Sequence, residues 1–480
     1  MNRRFRRKRT VNGGGGGGSK SVLAPSDLTF RGYLRFPASG VGDLYYSGAP
    51  MGSRTVGTSK RIFMWGALSG GVYPLLEFEI PATAPNTTLA SSPALTLVKD
   101  WGDVLTGFHL TGDVDEGYGI GGMQWDEEHN ALWWTYGAAY VPQSNHPTIC
   151  ATVLDDDAGT SATYGPWRFD LSGPNFTRGA MFPLPASFAT DNTDGKNVAV
   201  VGMMHSGVTS SPFGPSLHAF AFFDPTTMPA NTLADPSTTI TPTTLIGHDI
   251  THKKSRDTRY KTCGWTSPYD CRLGTPIADG ITDWGGIDSS TAENDQVRWG
   301  VWIDTPTKHG VLYGGQLVRT PLGYTAPGDP DGLVHMWYGD PSHASSTGSD
   351  GSGYVNLECC TGQADPYWLA TGPGAHFRMP MGWIYDPDDL IAVAAGTVDP
   401  WALTPTTDAF EWGAVAPSSA FADAHPPASP SDFDNVPSAD HFGLGAFFDS
   451  TTNLLYMSWR ADLYTTGNLR PLVMVFEVAT

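Results

Sequence analysis

Gln124-Trp125-Asp126-Glu127-Glu128-His129-Asn130-Ala131-Leu132-Trp133-Trp134 reads as one strand, a tight turn and a second strand. A polar run from Asp126 to Asn130 interrupts two apolar, aromatic stretches. Asp at the start of a turn and Asn near its end suit a short hairpin, because both bond to local backbone and Asn tolerates positive φ. The same order returns at Phe447-Phe448-Asp449-Ser450-Thr451-Thr452-Asn453-Leu454-Leu455-Tyr456-Met457, with Asp, three residues, Asn, one residue, Leu and an aromatic. Looser copies run from Asp304 to Leu312-Tyr313, from Asp194 to Asn197-Val198, and through Gly42-Asp43-Leu44-Tyr45-Tyr46.

A second piece interleaves with these hairpins, a strand carrying an aromatic followed by an acid. It occurs at Glu77-Phe78-Glu79-Ile80-Pro81, Trp167-Arg168-Phe169-Asp170-Leu171, Phe222-Phe223-Asp224-Pro225, Trp383-Ile384-Tyr385-Asp386-Pro387 and Val475-Phe476-Glu477-Val478. Hairpin plus strand make five cycles of about 90 residues, and a hairpin that cannot bury both faces alone must stack on its neighbours. Four-stranded blades set radially satisfy that demand and leave short, protected edges. The expected fold is all-β, a propeller of five blades, or six because the cycle from about Thr243 to Leu390 is oversized. A pair of two-sheet sandwiches is the alternative. Thr29 to Phe36 is expected to close the ring on the last blade, and residues 25–480 to form one domain.

Composition agrees with many short strands. The chain has 480 residues, with 57 Gly, 38 Pro, 12% aromatics and only 16% charged residues. That aromatic content excludes a disordered or collagen-like chain, and no clean window for a long helix follows residue 24. No apolar run is long enough to cross a membrane as a helix. The charge is uneven. Residues 1–24 carry Arg3, Arg4, Arg6, Arg7, Lys8, Arg9 and Lys20 and no acid, so of 28 bases 21 remain against 48 acids, a net of −27 for the body. Six glycines, Gly13 to Gly18, separate this basic arm from the rest and should act as a flexible leash. No apolar segment follows the arginines, so the opening is not read as a signal peptide. The arm is either a solvated disordered tail or an anchor for phosphate or an acidic protein surface.

The run Gly119-Ile120-Gly121-Gly122-Met123-Gln124-Trp125, the stretches Gly202-Met203-Met204-His205-Ser206-Gly207 and Pro215 to Pro225, Trp383 to Val393, and the closing Leu472 to Val478 resemble a loose group of bacterial and phage-metagenome propeller proteins. The group has no agreed activity, so this resemblance implies a fold only. The arginine-rich opening with polyglycine is similar to the start of some phage particle proteins.

Chemistry is less legible. In five-bladed glycosidases carboxylates from different blades flank a glycosidic bond at the axis. Candidates of that kind are Asp43, Asp113, Asp115, Glu116 and Asp304, although turn roles account fully for Asp43 and Asp304. Trp125, Trp134, Tyr136, Trp302 and Trp459 are candidates for stacking on a sugar or polymer, with core packing as the competing reading. Adjacent Trp133 and Trp134 must point to opposite faces of their sheet, where neighbouring blades could bury both. Lys253, Lys254, Arg256, Arg259 and Lys261 form a basic loop in an acidic body, solvated or facing an acidic partner. Of five cysteines, Cys263 and Cys271 could close a disulfide, join His248 and His252 as a zinc site, or remain thiols. No cofactor or metal motif is found. Calcium at Asp155-Asp156-Asp157, Asp191 to Gly195 or Asp329 to Gly332 competes with ordinary Asp-Gly turns.

These features point to a non-enzymatic phage particle protein, capsid-decorating or of tail-fibre type. It would be released by lysis and anchored through the arm, presenting a propeller that binds a glycan or protein. A propeller glycosidase or polysaccharide depolymerase, and a protein-only assembly scaffold, are the alternatives.

Overall fold

The structure is a computed structural model that describes residues 20–37, 51–66, 74–104, 118–138, 148–171, 179–202, 216–231, 237–247, 296–318, 378–406, 410–412, 415, 442–461 and 470–480. These residues form five antiparallel blades. Blade one is β3 (Met51–Val56), β4 (Ser59–Trp65), β5 (Pro74–Glu79) and β6 (Thr96–Asp103). Blade two is β7 (Tyr118–Asp126), β8 (Ala131–Ala138), β9 (Ile149–Asp155) and β10 (Thr160–Phe169), edged by the parallel two-residue strand β14 (Thr239–Ile240). Blade three is β11 (Met181–Pro183), β12 (Val198–Gly202), β13 (Ser216–Phe220) and β15 (Thr243–Ile246). Blade four is β16 (Gln296–Asp304), β17 (Lys308–Val318), β18 (Arg378–Tyr385) and β19 (Phe410–Glu411), joined by β1 (Ser21–Val22). Blade five is β20 (Phe442–Asp449), β21 (Leu454–Ala461), β22 (Arg470–Val478) and β2 (Leu28–Arg35). Among the described residues two short α-helices, α1 (Ala186–Asn192) and α2 (Pro387–Ala394), lie in connections.

The first strands make a closed ring, β3 against β7, β7 against β11, β11 against β16, β16 against β20, and β20 back against β3. The protein is therefore a five-bladed propeller. The oversized fourth cycle does not add a sixth blade among the described residues, because β15 completes blade three and β16, β17 and β18 belong to blade four. The last blade takes its outer strand from the other end of the chain, with Leu28 opposite Val478 and Arg35 opposite Leu472. The boundary expected after residue 24 falls earlier. Ser21 and Val22 pair with Lys308 and His309, and Leu23 is buried in the core.

The repeated hairpin motif is a first-to-second-strand turn. Asn130 and Asn453 have φ of 48° and 56°. Asp126 accepts from the Glu128 amide at 3.1 Å, and Asp449 accepts from the Thr451 amide at 3.1 Å. The looser copy at Asp194 is not a hairpin. There Gly195 donates to the Ala189 carbonyl at 2.9 Å and closes α1. The aromatic-acid pattern marks third strands in β5, β18 and β22 and the exit from β13, whereas Trp167 to Asp170 runs along the fourth strand β10.

Stacking between blades explains the tryptophans. Trp134 packs between blades one and two with Trp65, Phe63 and Trp101, while Trp133 packs between blades two and three with Trp167, Val200 and Phe220. Period-two alternation sends the neighbours to opposite sheet faces, and in a ring of blades both faces are interior. Close approach at the axis is set by glycine. A Cβ on Gly122 would stand 2.3 Å from the Ala180 Cα, and one on Gly445 would stand 2.2 Å from the Met51 nitrogen. Ser458 secures the second contact by accepting from the Gly445 amide at 3.1 Å and donating to its carbonyl at 2.9 Å.

Candidate functional site

Strand direction divides the molecule into two rims. Every first strand runs toward one rim, where β3 and β4 are joined by Gly57–Thr58, β16 and β17 by residues 305–307, and β20 and β21 by residues 450–453, and where the longer connections 80–95, 184–197, 221–242 and 386–409 also lie. Every first strand begins at the opposite rim. The segments entering there are 36–50, 104–117, 170–180, 247–295 and 412–441, and second strands reach third strands through 66–73, 139–148, 203–215, 319–377 and 462–469. Ten connections thus meet the sheets at one rim, around the axis on which the first strands converge. Loops carried on a rigid scaffold in this way, as at this mouth, are where binding and catalytic residues concentrate in folded proteins.

The sequence-derived candidates separate across the two rims. Asp43, Asp113, Asp115 and Glu116 lie outside the described residues, in the segments that lead into β3 and β7. Asp304 ends β16 at the hairpin rim, where its carboxylate pairs with Lys20. The turn that follows is bonded by Thr305, whose hydroxyl accepts from the Lys308 amide at 3.0 Å, and Asp304 is separated from the mouth by the length of its strand.

Four of the five aromatic candidates are core residues rather than ligand platforms. Trp134 and Trp459 are fully buried, and Trp125 and Tyr136 nearly so. Trp125 stacks on Phe63 with centroids 5.7 Å apart and donates to Glu127 at 2.7 Å, and the Trp134 indole donates to Thr152 at 3.0 Å. Interblade packing covers their rings, and period alone could not separate that fate from exposure. Trp302 is half-buried at the hairpin rim, 4.7 Å from the Phe188 ring of α1. The arm residues Arg3, Arg4, Arg6, Arg7, Lys8 and Arg9 lie outside the described residues. So do the basic loop of Lys253, Lys254, Arg256, Arg259 and Lys261, the cysteines Cys263 and Cys271, and the stretch Asp329 to Gly332. Cys150 is a buried free thiol whose pKa is pushed up by burial. Of the calcium candidates, Asp156 pairs with Arg54, and Asp194 turns the chain out of α1.

Two charged clusters were not anticipated. Arg54 on β3 binds Glu77 of β5 at 2.8 Å through both Nε and an Nη, and reaches Asp156 of the blade-two turn at 2.9 and 2.8 Å. Its side chain is 2% exposed and that of Glu77 is 0% exposed. Burial alone would lower the Arg54 pKa, but hydrogen bonds and charge from Asp156 and Glu77 outweigh it and leave the pKa raised. This arginine is a strut between blades one and two. The second cluster lies at the hairpin rim, where His309 of β17 faces Asp386 and Asp388 at the start of α2. Asp386 caps that helix by accepting from the Asp388 amide at 2.9 Å. A Pro at the first helical position and two acids in the first turn were a readable helix start in Asp386-Pro387-Asp388-Asp389. The aromatic-acid strand pattern, which ends at the same residue, hid it.

His218 on β13 is a buried titratable group with Nδ1 3.0 Å from the Thr244 hydroxyl. Desolvation lowers its pKa from 6.5 to about 3, so at neutral pH it is uncharged. The unfolded chain takes up this proton near pH 6.5 and the folded chain only near pH 3, so the contribution is intact above about 6.5 and is lost as pH falls toward 3. Between pH 7 and pH 4 this costs about 3 kcal/mol. Urea titrations across that range should show a shallower acid loss in His218→Gln than in wild type. Equal slopes would mean that His218 takes up its proton at the same pH in the folded and unfolded chains.

No protein-family model matches the sequence, and comparison with curated proteins finds no match. Among solved structures, the native arabinanase Arb43A of Bacillus subtilis is similar at 9% identity and a TM-score of 0.34, over 90% of this chain and 95% of that one. The α-L-arabinofuranosidase PaAbf62A of Podospora anserina, solved with cellotriose, is similar at 7% identity and a TM-score of 0.33, over 94% and 99%. Likeness this distant assigns no activity to the chain, and the propeller rests on the sheet order and ring closure described above.

Proposed function

We propose that the chain is a glycoside hydrolase acting on a polysaccharide, with its reacting carboxylates on the segments that open the first strands at the mouth. The supporting observation is the convergence of ten connections, among them the long segments 247–295 and 319–377, on the rim where the first strands begin. Cleaving a glycosidic bond needs one carboxyl group to protonate the leaving oxygen. A second must activate water or form the glycosyl intermediate, at about 5–5.5 Å from the first for retention and about 6.5–9.5 Å for inversion. Segments converging from separate blades can bring two acids to such a spacing, whereas neighbours along one strand point to opposite faces. Residues 105–117, between β6 and β7, supply Asp113, Asp115 and Glu116, and residues 38–50, between β2 and β3, supply Asp43.

The test is release of reducing ends from a panel of plant, bacterial and algal polysaccharides by the full chain. At least one substrate should be cleaved, and one of Asp113→Asn, Asp115→Asn and Glu116→Gln should lower kcat on the order of a thousandfold at unchanged melting temperature. No release from any substrate, or activity surviving all three changes and Asp43→Asn, would overturn the assignment.

A particle-surface role is the second reading, and it makes a geometric prediction. The chain enters blade four at Lys20, on the hairpin rim, so a surface held by the arm would leave the mouth facing outward. Purified particles carrying the full-length chain but not one lacking residues 1–19, together with an inactive sugar-release assay, would select that reading.

A further inference from the structure

We propose that His309, Asp386 and Asp388 hold one divalent first-row metal ion that fastens the start of α2 to the blade-four hairpin. The imidazole and the two carboxylates each place a donor atom within 4.8 Å of the other two. The His309 Nε2 and the Asp386 Oδ1 are 3.7 Å apart, beyond hydrogen-bond reach. That gap is close to what two donors leave when each stands about 2.1 Å from a shared ion. Helix capping accounts for Asp386, and the helix dipole favours Asp388, but neither accounts for an imidazole turned toward both.

Neighbouring lysines have other partners. Lys308 binds Asp27 at 2.9 Å and Lys20 pairs with Asp304. The donors come from elements already fixed by the sheet, since Val311 lies opposite Tyr385, one residue before Asp386. One imidazole with two carboxylates suits zinc, iron(II) or manganese better than a thiolate-seeking ion. Asp388 is exposed, so water can complete the coordination. The site stands at the hairpin rim, away from the mouth, and its role is structural.

The test uses the full chain stripped with EDTA and titrated with Zn2+. Because the cysteines could also bind zinc, the readout is the difference between wild type and variants. His309→Asn and Asp386→Asn should each weaken one equivalent on the order of tenfold or more. Asn retains the helix cap, so the Asp386→Asn melting temperature without metal should match wild type, while the rise on adding Zn2+ should be lost. Zinc stoichiometry, affinity and stabilisation identical in wild type and both variants would overturn the proposal, as would no zinc binding by wild type. Sugar release bears on neither outcome.

Discussion

Arg54→Met is expected to destabilise the folded ring by about 3–5 kcal/mol, the cost of leaving a buried carboxylate without its main counter-charge. Glu77 is fully enclosed, and without Arg54 its partners among the described residues are Arg61 at 3.2 Å and the Trp101 indole at 3.0 Å. The change also removes the link to Asp156 and the cation held 4.8 Å over the Trp125 ring. Arg54→Lys should fail to rescue, because an ammonium cannot serve two carboxylates in paired fashion. Arg54→Met with Glu77→Met should recover much of the loss, since an apolar pair removes the unpaired charge. Urea midpoints of wild type, Arg54→Met, Glu77→Met and the double variant form a double-mutant cycle. A loss within about 1 kcal/mol for Arg54→Met would mean that Arg61 takes over the carboxylate, and the strut would then be dispensable.

Gly445→Ala and Gly122→Ala should each cost about 2–3 kcal/mol or more, because the obstacle is main chain of the next blade rather than a side chain that can turn away. The added methyl of Gly445→Ala would meet the Met51 nitrogen, and that of Gly122→Ala would meet the Ala180 Cα. Either blade contact would have to open at the axis. Gly57→Ala is the informative control. Its φ is 61° with nothing within 4 Å of an added Cβ, so it loses only the backbone preference, about 1 kcal/mol. Thermal unfolding should rank both axial changes well below Gly57→Ala. Equal losses would show that the ring relaxes around the methyl groups.

Much of this architecture was legible in local sequence because its signals are local. Asp126 and Asn130 mark a turn by bonding and φ preference within four residues, and the same holds for Asp449 and Asn453. Adjacent Trp133 and Trp134 point to opposite faces of their sheet, which neighbouring blades could bury together. The candidate site was much less legible. Trp125, Trp134, Tyr136 and Trp459 looked the same on paper whether they faced a ligand or a neighbouring blade. The acid candidates could not be sorted until strand direction sent Asp304 to one rim and the segments holding Asp43 and Asp113 to the other. Arg54 was passed over because its partner Asp156 stands 102 residues away.

The sequence by itself determined that the chain is all-β, built of repeated hairpins, and closed by its first long strand on its last blade. Those properties follow from two-residue periodicity, turn chemistry and the need of small sheets to bury both faces. Only the tertiary structure decided that there are five blades, that axial glycines set their spacing, and that Arg54 joins Glu77 to Asp156. It also brought His309 beside Asp386. Each of these depends on which residues distant in sequence are brought within a few ångströms by the stacking of sheets, and no local pattern encodes that distance.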